Sequence, residues 1–282
     1  LLGGLSAVVV EDVGELEALL GRRAAHRVVL AEAAAVGRLV LDHPERVDHQ
    51  VGRPGADAAK VLNSALAVVE KQKEVADSII GKLLFTRGVT LEELDRNTEA
   101  IDSYRQAHTL QIKAYGKEHH ETLNTRRALA VAMQSSGKLN EAESMLNDVL
   151  RRQKAVLGED NPDTFTTINY LGLLYREQKH AEKALTTFEN LATKSKEILG
   201  APHPKTLAYQ LNVAESLASL GRLESAGKLL QEIIPILESS LGEMYEDTIG
   251  AIQNQAAILA MTNKPKEAYP VLLDALQRAQ KT

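Results

Sequence analysis

The dipeptides Tyr115-Gly116, Leu157-Gly158, Leu199-Gly200 and Leu241-Gly242 recur at one constant interval of 42 residues. Nothing else in the chain restricts its fold as strongly, because self-similarity at a period of about 20 to 50 residues is the mark of stacked units rather than of one closed core. Thr122, Thr164, Thr206 and Thr248 keep the same register, as do the small residues Ala130, Gly172, Ala214 and Ala256. A second small series, Ala142, Ala184, Ala226 and Ala268, lies twelve residues further on. Between the two series stand Gly137, Lys179, Gly221 and Asn263, three of them residues that favour a turn or tolerate a left-handed backbone. Each unit therefore reads as helix, turn, helix.

The second unit shows why the units must stack. Ile168, Leu171, Gly172 and Tyr175 fall on one helical stripe, and Ala184, Phe188 and Leu191 form a matching stripe on the partner helix. Small residues at 172 and 184 let the two backbones approach closely. Neither helix can bury its stripe alone, so neighbouring units must cover what remains, and about three or more are needed for stability. The boundaries carry helix-start chemistry: Asn161-Pro162-Asp163 sets a capping side chain before a proline at the first helical position, with an acid in the first turn. His203-Pro204 repeats the proline one unit later.

With these residues in place, the segment LGEDNPDTFTTINYLGLLYREQKHAEKALTTFENL at 157–191 resembles a tetratricopeptide repeat of the long kind found in kinesin light chains and related proteins. The resemblance covers four units in register, from Tyr115 to Lys281, and half of an earlier one, in which Ala100, Tyr104 and Ala107 repeat the second-helix positions. It implies an all-α fold: a right-handed superhelical solenoid of antiparallel helix pairs. Residues 115–282 are expected to form four 42-residue pairs and residues 60–114 an irregular first pair. The first helix of that pair is placed at about 61–86, followed by an irregular link, because Gly88 within Thr86-Arg87-Gly88 stands 42 residues before Ala130 and reads as a break.

Residues 1–59 form a compositionally distinct segment, without Lys, Asn, Ile, Phe, Tyr or Met, whereas all six types are used freely from Lys60 onward. Three readings stay open. The bias reflects a GC-rich exon or a mistaken gene model; or Val13 to Leu41 forms an amphipathic helix pair, with Arg53-Pro54-Gly55 as a linker; or the segment is a dimerising arm, although no apolar heptad persists over three or four turns. The chain opens on Leu, which leads us to expect a fragment or a processed chain.

Composition narrows the function. There is no cysteine, hence no disulfide framework, thiolate nucleophile or sulfur-based zinc site. The formal charge of -5 gives no electrostatic reason to expect nucleic acid, and no stretch is long and apolar enough for membrane insertion. A cytoplasmic location is expected. His119-His120, flanked by Glu118 and Glu121, invites a metal reading, but His119 aligns with Asn161, His203 and Tyr245 at one loop position, which favours a structural role. No phosphate loop, dinucleotide turn, zinc-peptidase helix or nucleophile elbow occurs, so no enzyme activity, cofactor or metal is expected.

Chemistry then rests on the face of each first helix that points away from the buried stripe. At roughly 100 degrees per residue, offsets of two, five, nine and twelve from the repeat threonine share that face. They are Asn124, Arg127, Val131 and Gln134 in the first unit and Thr166, Asn169, Leu173 and Arg176 in the second. The third gives Ala208, Leu211, Glu215 and Ala218, and the fourth Gly250, Gln253, Ala257 and Ala260, with Asn212 and Asn254 at the edge. In the resembling family this face lines a concave groove for an extended or helical peptide, whose backbone is held by amide side chains. The resemblance thus nominates Asn124, Arg127, Gln134, Asn169, Leu173, Arg176, Leu211, Asn212, Glu215, Gln253, Asn254 and Ala257; the bland alternative is ordinary polar surface. The basic clamp by which some members grip chaperone C-termini is not reproduced, since its positions read Arg127, Val131, Tyr170, Ala208 and Asn212. Arg126, Arg127 and Arg176 allow a preference for acidic ligand groups.

The expected function is an adaptor or scaffold that binds a peptide or protein segment. The alternative is a regulatory sensor array controlling a nucleotide-binding or effector domain elsewhere in a larger protein. Partner identity and oligomeric state are not written in the sequence.

Overall fold

The computed structural model describes residues 59, 60, 62–64, 66, 67 and 76–281. Nearly all of the segment 1–59, with its three readings, lies outside the described residues. Within them the chain is helical, without strands. After a helical stretch among residues 59–67 come α1 (Asp77–Glu93), α2 (Asn97–Tyr115), α3 (His120–Ser135), α4 (Leu139–Val156) and α5 (Pro162–Glu177). They are followed by α6 (Ala181–Leu199), α7 (Pro204–Ser219), α8 (Leu223–Ser240), α9 (Glu246–Met261) and α10 (Pro265–Ala279). Two compact units divide the chain at residues 145 and 146.

Two kinds of turn joint alternate along the chain, each specified by backbone hydrogen bonds. Inside each pair the joint is a left-handed residue: Asp95, Gly137, Lys179, Gly221 and Asn263 all have φ between 57° and 77°. In every case the next residue's N–H bonds the carbonyl five residues back, as from His180 to Tyr175 at 2.8 Å, and the left-handed residue's own N–H bonds three back, as from Lys179 to Arg176. This is the Schellman geometry, which satisfies the last carbonyls of the first helix and reverses the chain in three residues. Asp95 belongs to the same series although its residue type does not signal a left-handed turn as glycine does.

Between pairs the joint is a glycine followed six residues later by a threonine. Thr164 Oγ1 donates to the carbonyl of Gly158 at 2.8 Å, and Thr248 Oγ1 to that of Gly242 at 2.9 Å. Thr206 instead shares a buried 2.7 Å hydroxyl contact with Ser195. Asn161 and His203 then cap the next helix, their Oδ1 and Nδ1 accepting from the N–H groups of Asp163 and Lys205 at 2.8 and 3.1 Å. His119 caps α3 in the same way, with its ring stacked 4.5 Å from that of Tyr115.

The irregular link expected after about residue 86 is not found there. Helix α1 runs unbroken through it from Asp77 to Glu93, so the first helix begins and ends later than the sequence suggested. Gly88 is buried against a ring: a Cβ added to it would lie 2.4 Å from Tyr104 Cε1. Gly172, two intervals on, meets Phe188 Cε1 at 2.5 Å in the same way. Gly88 thus occupies the regular small position rather than a break. Its neighbours are also satisfied within the helix, since Thr86 and Thr90 donate to carbonyls four residues back, while Arg87 bonds Ser103 Oγ at 2.9 Å and Asn63 Oδ1 at 2.7 Å.

In the first unit, Leu62, Leu66, Leu83, Leu84 and Ala107 form one buried cluster, so the stretch before α1 packs on the first pair. In the second unit the fully buried Phe165, Leu174, Phe188, Leu207 and Leu230 mark the seams between successive helices. Burial thins at α10, where only Ala268 and Ala275 are buried and Tyr269 is 70% exposed.

Candidate peptide-binding face

In the second unit the first helices are α5, α7 and α9. Each buries one face against the second helices, in α5 through residues such as Thr164, Phe165, Leu171, Leu174 and Tyr175. What remains on the opposite side of α5 is a half-buried row: Thr166, Asn169, Leu173 and Arg176. Leu211 and Asn212 of α7 are half-buried and Glu215 is exposed; on α9, Gln253 and Ala257 are exposed and Asn254 is half-buried.

Three polar contacts tie α5 to α7 across this row. Asn212 Nδ2 donates to Asn169 Oδ1 at 2.9 Å, Arg176 forms an ion pair with Glu215, and Lys205 Nζ reaches Thr166 Oγ1 at 3.4 Å. The nominated residues Asn169, Arg176, Asn212 and Glu215 are therefore brought together as two linked pairs. Asn254 is not joined to them. Around Gln253, Asn254 and Ala257 the surface becomes small and apolar, ending in Met261 at 65% exposure.

Charge is uneven along the face. Glu215 balances Arg176, while burial, together with the nearby Glu246 and Glu215, pushes the Asp247 carboxyl above its usual range. An arginine already neutralised by a carboxylate is a weaker lure for an acidic ligand than the bare sequence implied.

Asn124, Arg127 and Gln134 lie on α3 in the first unit, all half-buried. The Asn124 Oδ1 atom is buried without a hydrogen-bond partner. His119 serves as a helix cap, and among the described residues no three histidine or carboxylate groups are placed to share a metal ion. No helix among the described residues is long and apolar enough to cross a membrane.

Sequence reasoning missed Lys205. It stands one residue before the repeat threonine, at the margin of the helical face, and its reach to Thr166 depends on the stagger between neighbouring helices.

Comparison with known proteins bears on the repeat and the fold. The family model "Tetratricopeptide repeat" matches residues 80–155, 137–192 and 163–239. Protein KINESIN LIGHT CHAIN-RELATED 3 of Arabidopsis thaliana is 23% identical over 227 residues, which are 78% of this chain and 34% of that protein. The chain thus spans about a third of the length of that relative. A crystal structure of kinesin light chain-type, nearly identical TPR-like repeats from Podosopora anserina superposes with a TM-score of 0.61 at 21% identity, covering 74% of this chain and 98% of that one. A Rap protein crystallised in complex with Competence and Sporulation Factor gives a TM-score of 0.64 at 14% identity, covering 96% of this chain and 77% of that one. At these identities the structural likeness speaks for the fold alone.

Proposed function

The chain belongs to the tetratricopeptide repeat family, and from that premise we propose that it is an interaction module that holds an extended peptide segment of a protein partner across α5, α7 and α9. The observation that carries this reading is the Asn169–Asn212 amide pair. Once the two side chains bond each other, Asn169 keeps Nδ2 donors and Asn212 keeps its Oδ1 acceptor. Such a pair offers a peptide backbone what a neighbouring strand would offer, one donor and one acceptor side by side. Leu173 and Leu211 beside it, and the apolar end of α9, supply surface for ligand side chains.

Binding of this kind presents a surface and makes or breaks no covalent bond. A carboxylate on the ligand would take the place of Glu215 as the partner of Arg176, so an acidic side chain belongs at the α5 end and an apolar one over α9. The Rap protein complexed with Competence and Sporulation Factor offers an analogy for ligand binding on a related fold.

The test is selection of peptides from a random display library on the full chain. The affinity of the best peptides is then measured for the wild type and for the Asn169→Ala, Asn212→Ala, Asn254→Ala triple variant. The reading expects a loss of roughly tenfold or more with unchanged helical content. Peptides that bind the variant equally well would move recognition off this face.

A further inference from the structure

We propose that the cleft between α8 and α10 is a second binding site, which takes a lysine or arginine side chain from an aliphatic-rich segment of a protein partner. The cleft has a volume of about 540 Å³ and is floored by α9. It is separate from the face described above, because the floor residues Ile252 and Gln255 are buried, whereas Gln253, Ala257 and Ala260 on the other side of α9 are exposed.

Its walls are apolar: Ile234 and Pro235 come from α8, and Pro270 and Val271 from α10. Its polar groups are mostly acceptors. Pro235 stands inside its helix and has no N–H, so the carbonyl of the lining residue Gln231, one turn earlier, loses its helical donor. Gln255 is only 6% exposed, and its Oε1 is buried without a hydrogen-bond partner. Glu238, Glu267 and Asp274 also line it, with Leu259. Arg278 bonds Glu238 at 2.7 Å and Asp274 at 2.8 Å, but three carboxylates outnumber the one guanidinium.

The repeat itself shows what is missing. One interval earlier, the positions of Glu238 and Pro270 are held by Lys196 and Lys228. At the α8–α10 cleft two long basic side chains have been replaced by a carboxylate and a proline ring, leaving room and a surplus of negative charge and acceptors. The complement is a group that only donates, carried on an aliphatic stem that can lie along apolar walls, as in lysine and arginine.

The experiment uses the ¹⁵N-labelled full chain, titrated with the capped tripeptides acetyl-Leu-Arg-Leu-amide and acetyl-Leu-Lys-Leu-amide, with acetyl-Leu-norleucine-Leu-amide as the neutral control. We expect amide shifts confined to 231–238, 252–259 and 267–274, and affinity for the basic peptides roughly tenfold above the control. Pro270→Lys, which restores the residue of the preceding unit in a helix-compatible form, should abolish them. The Asn169→Ala, Asn212→Ala, Asn254→Ala variant should leave them intact, which separates this site from the first. Equal binding of the norleucine peptide, shifts located elsewhere, or undiminished binding by a folded Pro270→Lys chain would overturn the proposal.

Discussion

The ring of Phe188 packs directly on the backbone of Gly172, so closely that an alanine Cβ would stand 2.5 Å from the ring edge. One interval before and after, the same two positions read Ala130 with Leu146 and Ala214 with Leu230. An aromatic residue thus accompanies glycine where leucine accompanies alanine. Gly172→Ala is expected to destabilise by about 1–3 kcal/mol through overpacking, although alanine is the better helix former by about 1 kcal/mol. Adding Phe188→Leu should recover most of that loss. Urea unfolding of the two single variants and the double variant measures the coupling, and additive effects would contradict the packing account.

Lys179 holds a left-handed conformation, φ 62°, at a joint where Gly137 and Gly221 serve in other pairs. Its side chain is exposed. Lys179→Gly should therefore stabilise the chain by about 0.5–1 kcal/mol, the relief of backbone strain exceeding the added freedom of the unfolded chain. A thermal melt showing a lower midpoint would refute it.

Two of the repeat threonines, one residue type, stand in opposite situations. Thr164 donates to Gly158, whereas the hydroxyl of Thr122 is buried with no partner. Replacing each by the isosteric valine should cost about 1 kcal/mol at 164 and nothing, or a slight gain, at 122. Chemical denaturation of the two variants side by side decides it; equal losses would show that shape, not the hydrogen bond, keeps threonine there.

Glu92 accepts a hydrogen bond from Tyr104, yet its carboxyl is pushed above the usual range, chiefly by burial, with that bond acting against the shift and Glu93 adding to it. The folded state therefore holds this proton more tightly than the unfolded one. The associated stability is fully present below the unfolded value of 4.5 and is lost as pH rises through the higher folded value. Glu92→Gln keeps an acceptor for Tyr104 and removes the titration. Its urea midpoint should exceed that of the wild type at pH 7, with the gap closing below pH 4.5. A gap that persists unchanged at low pH would exclude this origin.

The glycine and threonine spacings made the period legible because they mark backbone joints, which depend on local conformation and are repeated in every unit. Gly88 was misread for the same reason: local propensity calls Thr86-Arg87-Gly88 a break, and only the ring of Tyr104 sixteen residues later explains a glycine in a helix. On the candidate face, angular arithmetic places Asn169, Arg176 and Glu215 off the buried stripe, and in the structure the first two are half-buried and the third exposed. It could not pair them. The partners Asn169 and Asn212 are 43 residues apart and Arg176 and Glu215 are 39 apart, spacings set by the stagger of helices rather than by the 42-residue period. The α8–α10 cleft was equally hidden, since it arises from what Glu238 and Pro270 replace.

At Gly158 and Gly242 the joint between pairs closes on itself. In the bonds from Thr164 to Gly158 and from Thr248 to Gly242, donor and acceptor are only six residues apart. A coding sequence broken just before Gly158 and rejoined just before Gly242 would lose two whole pairs while the surviving joint kept both ends of its bond. For heredity these two glycine-to-threonine segments are thus splice points, at which a recombination error changes the length of the array by whole pairs and leaves the chemistry of the joint as it was.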